Sequence, residues 1–223
     1  MSGADLTRRR LLLAGSAGLV AGGTALALSG TASAAPRSAP VVEPDIDSTA
    51  VWGARPASGT ITVLDNRPNK IIVHHAAGPN STDYSRAQAH AHAKWVQNIH
   101  MDDNGWSDTG YHFVVSRGGW ITEGRHESLR TLRAGQGLVL GAHTSGQNYD
   151  GIGICTEGAY HDGATPPQAQ WEVLVSLCAY TCQRYGIAPT QLYGHKDFNA
   201  TLCPGVLHDM LPQLRSEVAA ALG

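Results

Sequence analysis

Between Pro68-Asn69 and Ala76-Ala77-Gly78 runs KIIVH, Lys70 to His74, an unbroken apolar stretch of strand length. A strand with one wet face alternates apolar and polar residues, so a continuous run marks a strand covered on both faces. The run GIGICT, Gly151 to Thr156, reads the same way. Two such strands demand a sheet with helices laid against it, and the chain supplies the helices. Asp83 is placed to cap one that runs to about His100, with Ala89, Ala93, Val96 and His100 on one side at spacings of three and four. Gln168 to Tyr185 starts behind Pro166-Pro167 and carries the stripe Trp171, Leu174, Val175, Cys178, Cys182 and Tyr185. Val206 to Leu222 forms a further amphipathic segment. Tyr111 to Val115 and Trp120 to Glu123 read as two strands around Gly118-Gly119, a pair suited to a hairpin turn, and Leu192 to Gly194 as a short strand leading to His195. Strands interleaved with helices predict an α/β fold, one domain on a central mixed β-sheet flanked by helices.

The first residues belong to another problem. TRRRLLLAG sets Arg8-Arg9 and Arg10 before an apolar, Gly- and Ala-rich stretch, and Ala32-Ser33-Ala34 offers small residues ahead of Ala35. This resembles a twin-arginine export signal, so residues 1–34 are expected to be removed, leaving no stable membrane association. Residues 35–46, APRSAPVVEPDI, are proline-rich and lack periodicity, which predicts an extended linker before a domain over 47–223. Lys plus Arg is 16 against 18 Asp plus Glu, with no basic stripe outside the signal, which argues against a nucleic-acid partner.

Chemistry gathers at two places. The first core strand ends in His74-His75, and the late run GHKDFNATLCPG holds His195 and Cys203 with seven residues between them, a loop short enough to fold back. Two neutral imidazoles and a thiolate are the donors of a catalytic Zn²⁺ site, in which a fourth position stays open for water whose pKa falls to about 7. Strand ends hold side chains rigidly while loops leave them open to substrate, so such a site belongs at one end of the sheet. A plainer reading competes. Eleven histidines make chance proximity easy, and His90, His92, His126, His161 and His208 read as surface or hydrogen-bonded residues. Cys203 also suits a buried apolar position or half of a disulfide. Cys155, Cys178 and Cys182 are open to either state.

Seven blocks in register add a resemblance. WGARP (Trp52 to Pro56), IIVHHAAG (Ile71 to Gly78), NGWSDTGYHFVVSRGG (Asn104 to Gly119), EGR (Glu123 to Arg125), GAH (Gly141 to His143), DGIGICTEG (Asp150 to Gly158) and GHKDFNATLCPG (Gly194 to Gly205) follow the order seen in zinc N-acetylmuramoyl-L-alanine amidases. The branch is the one shared by peptidoglycan recognition proteins and phage amidase-type lysozymes. The resemblance implies a Zn²⁺ held by His74, His195 and Cys203. It implies that Tyr111 and Thr201 act on the oxyanion, and that His75, His100, Trp106 and His143 lie along the substrate groove. A different amidase branch carries a catalytic glutamate where this chain has Cys155, so that mechanism does not transfer. Glu157 is the remaining alternative base.

The implied activity is hydrolysis of the amide between N-acetylmuramic acid and L-alanine in peptidoglycan. The protein would be a monomer, secreted or attached to the cell wall, with muropeptides as its partners. Two other functions share these motifs: a recognition module that binds peptidoglycan without cutting it, and a structural zinc clamp with His75 or His143 as a fourth ligand.

Overall fold

The computed structural model describes residues 40–223. The signal reading and the first part of the linker reading therefore lie outside the described residues. Six strands form the main sheet: β1 (Ile46–Asp47), β3 (Lys70–His75), β4 (Phe113–Val115), β5 (Ile121–Glu123), β7 (Gly151–Thr156) and β8 (Leu192–Gly194), in the order β1-β5-β4-β7-β3-β8. Only the β4–β5 hairpin is antiparallel; β1–β5, β4–β7, β7–β3 and β3–β8 run parallel, so the sheet is mixed. Gly119 of the hairpin turn takes φ +83°, the left-handed region that glycine enters without strain. A small ribbon, β2 (Val63–Leu64) with β6 (Leu138–Val139), stands apart.

The apolar runs fill the centre as their composition requires. Ile71, Val73, Ile152, Ile154, Phe113 and Val115 are buried in one cluster with Leu174, Leu177 and Cys178 of α4 (Gln168–Tyr185) and with Leu211, Leu214 and Val218 of α6 (Leu211–Leu222). Side chains alternate along a strand, so Ile72 and His74 project from the other face of β3. The helix α2 (Arg86–Asn98) buries Ala89, His92, Ala93, Val96 and Gln97. It is followed by a π-helical turn, Ile99–Asp103, which carries His100.

Several expectations are corrected. The helix cap is Ser85, whose Oγ accepts the Gln88 N–H at 3.2 Å; Asp83 instead accepts the Ser85 N–H, one turn earlier. The closing helix is broken into α5 (Val206–Asp209) and α6, because Pro212 near the start of α6 has no N–H to continue the ladder. The strands read as Tyr111 to Val115 and Trp120 to Glu123 begin later, at Phe113 and Ile121. The segment read as linker is already docked from Val41: its N–H donates to Gln183 Oε1, Glu43 bonds Arg133 and Tyr180, and Ile46 pairs in β1.

Two short helices, α1 (Thr49–Trp52) and α3 (Ser128–Ala134), were not foreseen. Both depend on Glu123 at the end of β5. Its Oε2 accepts the Thr49 N–H at 3.0 Å and its Oε1 the Leu129 N–H at 2.9 Å, while its carbonyl takes the Trp52 indole N–H at 2.8 Å. One buried carboxylate thus satisfies orphan donors at two helix starts.

Candidate metal centre

Sheet register brings the site together. His74 lies opposite Cys155 on β7, and Val73 lies opposite Gly194 on β8, so His195 leaves the sheet beside His74. The following loop folds back: the Lys196 N–H donates to Cys203 O at 2.9 Å, and Asp197 accepts the Gly194 N–H while bonding His208 of α5. Cys203 is returned to the strand end, where its Sγ lies 3.6 Å from His74 Nδ1 and accepts the His75 N–H at 3.4 Å. The donor atoms of His74, His195 and Cys203 all fall within 4.8 Å of one another. Among the described residues, this is the one group of three or more such side chains close enough to hold an ion.

The spacing suits zinc. Bonds of about 2.3 Å to sulfur and about 2.0 Å to nitrogen at the tetrahedral angle put those two atoms about 3.5 Å apart. His195 Nε2 is engaged with Asn199 Oδ1 at 3.2 Å, which leaves Nδ1 as its open nitrogen.

Burial sets the charge state. It holds His74 well below the usual histidine range, with His143 and His195 adding to the effect. Burial also lowers His195, against the Asn199 hydrogen bond. It pushes the Cys203 thiol up to about 12, although the His75 N–H acts the other way. The cluster alone is two neutral rings and a thiol. A divalent cation held there would supply the charge that makes a thiolate favourable.

Around this centre the predicted residues divide. Tyr111 faces it, its ring centroid 5.0 Å from that of His74, and burial, then the Cys155 and Cys203 thiols, raise its phenol well above the ordinary value. His100 accepts the Gly110 N–H on Nδ1 at 3.0 Å and packs against both Trp106 and Tyr111, so it supports Tyr111 from behind. Thr201 Oγ1 accepts the Cys203 N–H at 3.2 Å, keeping its own hydrogen to donate. His75 points to the opposite face, where Nδ1 accepts the Tyr160 N–H and the ring meets His161. His143 is buried behind His74 at 3.1 Å, not exposed along a groove. Neither His75 nor His143 joins the cluster as a fourth donor.

Glu157 is tied to the Gln88 side chain and the Arg117 N–H and is also outside the cluster. All four cysteines are free and buried, which settles the open choice for Cys155, Cys178 and Cys182. His90, His126 and His208 each bond a carboxylate, of Asp47, Asp108 and Asp197. Thr144, Asn199 and Gly153 were missed; the only signal was the Gly151, Gly153 alternation in GIGIC, which clears one strand face for something bulky.

Two cavities are lined by neighbours of the centre rather than by the three donors themselves. A small one of about 40 Å³ is lined by Ala76, Trp95, His100 and Tyr111, and one of about 270 Å³ by Tyr160, His161, Lys196, Thr201 and Leu202.

Comparison with known proteins gives the family of the chain. The family described as N-acetylmuramoyl-L-alanine amidase matches residues 64–206. Peptidoglycan-recognition protein SC1a of Drosophila melanogaster is 35% identical over 159 residues, 71% of this chain and 78% of the relative. The human N-acetylmuramoyl-L-alanine amidase is 34% identical over 173 residues, which are 75% of this chain but only 28% of that longer protein. Among solved structures, the ectodomain complex of peptidoglycan recognition proteins LCa and LCx with tracheal cytotoxin matches with a TM-score of 0.61 and 31% identity, over 72% of this chain and 89% of that one. The N-acetylmuramoyl-L-alanine amidase LysC of Clostridium intestinale gives 0.62 and 25%, over 79% and 99%.

Proposed function

Because this chain belongs to the N-acetylmuramoyl-L-alanine amidase family, we propose that it is an exported zinc hydrolase that cuts the amide between the lactyl group of N-acetylmuramic acid and L-alanine of the peptidoglycan stem. The observation that carries the reading is the convergence of His74, His195 and Cys203 in one cluster of three donors. Those residues would hold the ion, which when bound polarises a carbonyl and lowers the pKa of water.

The chain's own groups do the rest. Tyr111, held against His74 and supported by His100, keeps its phenolic proton at neutral pH and offers it to oxygen that gathers negative charge. Thr201 offers a second donor from the Cys203 side, its lone pair committed to the Cys203 N–H. Trp106, half-buried against His100, forms part of the substrate wall. Muropeptides are the partner, and the protein acts as a monomer outside the cell. Among the described residues no helix is long and apolar enough to cross a membrane.

Purified protein should carry about one zinc per chain and release stem peptides from muropeptides, read by mass spectrometry, with chelator stopping the release. Cys203→Ala should lower the rate on the order of a thousandfold or more. Cleavage at the parental rate by that variant would end the hydrolase reading; retention of intact muropeptides by the parent, with no release, would identify a binding module.

A further inference from the structure

His74 has two nitrogens, and only one faces Cys203. The other, Nε2, points into a buried group formed by the loop before β7: it lies 3.1 Å from His143 Nδ1 and 3.3 Å from Thr144 Oγ1, and those two atoms are 3.0 Å apart. The far nitrogen of His143, Nε2, lies 3.2 Å from the carbonyl of Gly151. A carbonyl only accepts, so His143 must carry its hydrogen on Nε2. In a neutral ring this leaves a lone pair on Nδ1; His74 Nε2 donates either to it directly or to Thr144 Oγ1 while that hydroxyl donates to Nδ1, since a lone pair on His74 Nε2 would face the Nδ1 lone pair at 3.1 Å. The hydrogen of His74 is thereby fixed on Nε2, and its Nδ1 lone pair is left facing Cys203 and His195.

The surroundings lock His143 in place. Its backbone N–H and that of Thr144 both donate to Asn148 Oδ1, at 2.9 and 3.0 Å, pinning the start of the loop. The ring lies over Gly153 of β7, where a Cβ would fall 2.4 Å from His143 Cγ, so only glycine leaves room for it. His112 packs beside it with its own hydrogen committed to Val139 O and its Nδ1 accepting the Gly153 N–H.

We propose that His143, anchored on the Gly151 carbonyl and assisted by Thr144, is a positioning residue that fixes the tautomer and ring angle of His74 for metal binding. The inference rests on the metal reading above but assigns His143 a task behind the ligand, where it touches neither substrate nor ion. A partner of this kind sharpens a metal site because a ligand already oriented loses less freedom on binding.

The experiment has two arms. In ¹⁵N-histidine-labelled parent protein, long-range nitrogen–proton spectra should show His74 protonated on Nε2 with the metal removed, and the same pattern with Nδ1 shifted by zinc when loaded; His74 protonated on Nδ1 overturns the proposal. In chelator competition, His143→Ala should weaken zinc binding by about 10–100-fold. His143→Asn, whose Oδ1 stands near the position of Nδ1, should recover most of that loss. Equal affinity in the parent and Ala variant, or an equal fall in both variants, overturns it, and the labelled-parent arm decides if the Ala variant does not fold. A parent with the expected tautomer and zinc affinity but no amide cleavage would sink the hydrolase reading while leaving this one standing.

Discussion

Histidine is usually discussed as a switch near neutrality, yet this fold disarms several of its histidines by burying them. Burial, with Arg125 nearby, holds His100 at about 4, and burial holds His112 at about 4 against its bond to Val139. The folded values lie below the unfolded value near 6.5, so the unfolded chain binds more protons in the window from about 6.5 down to about 4. Stability is therefore full above that window and falls as the pH drops through it. Urea unfolding of metal-free protein should show a loss on the order of a few kcal/mol between pH 7 and pH 5, and little change between pH 7 and pH 8. A flat profile down to pH 5 would mean that these rings accept protons without leaving their places.

The helices α1 and α3 are short, and their starts hang on a strand residue far away in sequence. Glu123→Ala should strand the Thr49 and Leu129 donors and cost about 2–4 kcal/mol, read as a lower urea midpoint with an unchanged slope. Glu123→Gln keeps one accepting oxygen and should fall between the two. This dependence explains what could be read in advance. The strands β3 and β7 and the helix α4 declare themselves through continuous apolar runs and a long stripe, which are local patterns. The helix α3 carries only Leu129 and Leu132 as buried apolar anchors and borrows its cap from Glu123, so nothing near it announces a helix. The donor set His74, His195 and Cys203 was legible because each lies in a short motif at a strand end or loop. The place of His143 was not, since it meets His74 across 69 residues of chain through a loop whose path depends on Asn148 and Gly153.

The docked segment from Val41 bears on the proposed export. Glu43 and Ile46 tie this stretch to α4, α3 and the sheet edge, so a cut near Ala35 would leave every described contact intact. Intact mass of the exported protein should correspond to a chain starting near Ala35, and replacing Arg8 and Arg9 together by Lys should hold the precursor inside. Export of the full-length chain, or export undisturbed by the double replacement, would remove the twin-arginine proposal.

Adjacent residues of β3 look in opposite directions, His74 toward Cys203 and His75 toward Tyr160. A pairing error of a single step along β7 would exchange them, turning the wrong ring inward and carrying the Nε2 hydrogen away from His143. On the proposed metal reading, a misthreaded copy would lack one of its three grips, so zinc uptake would report correct pairing of β3 with β7.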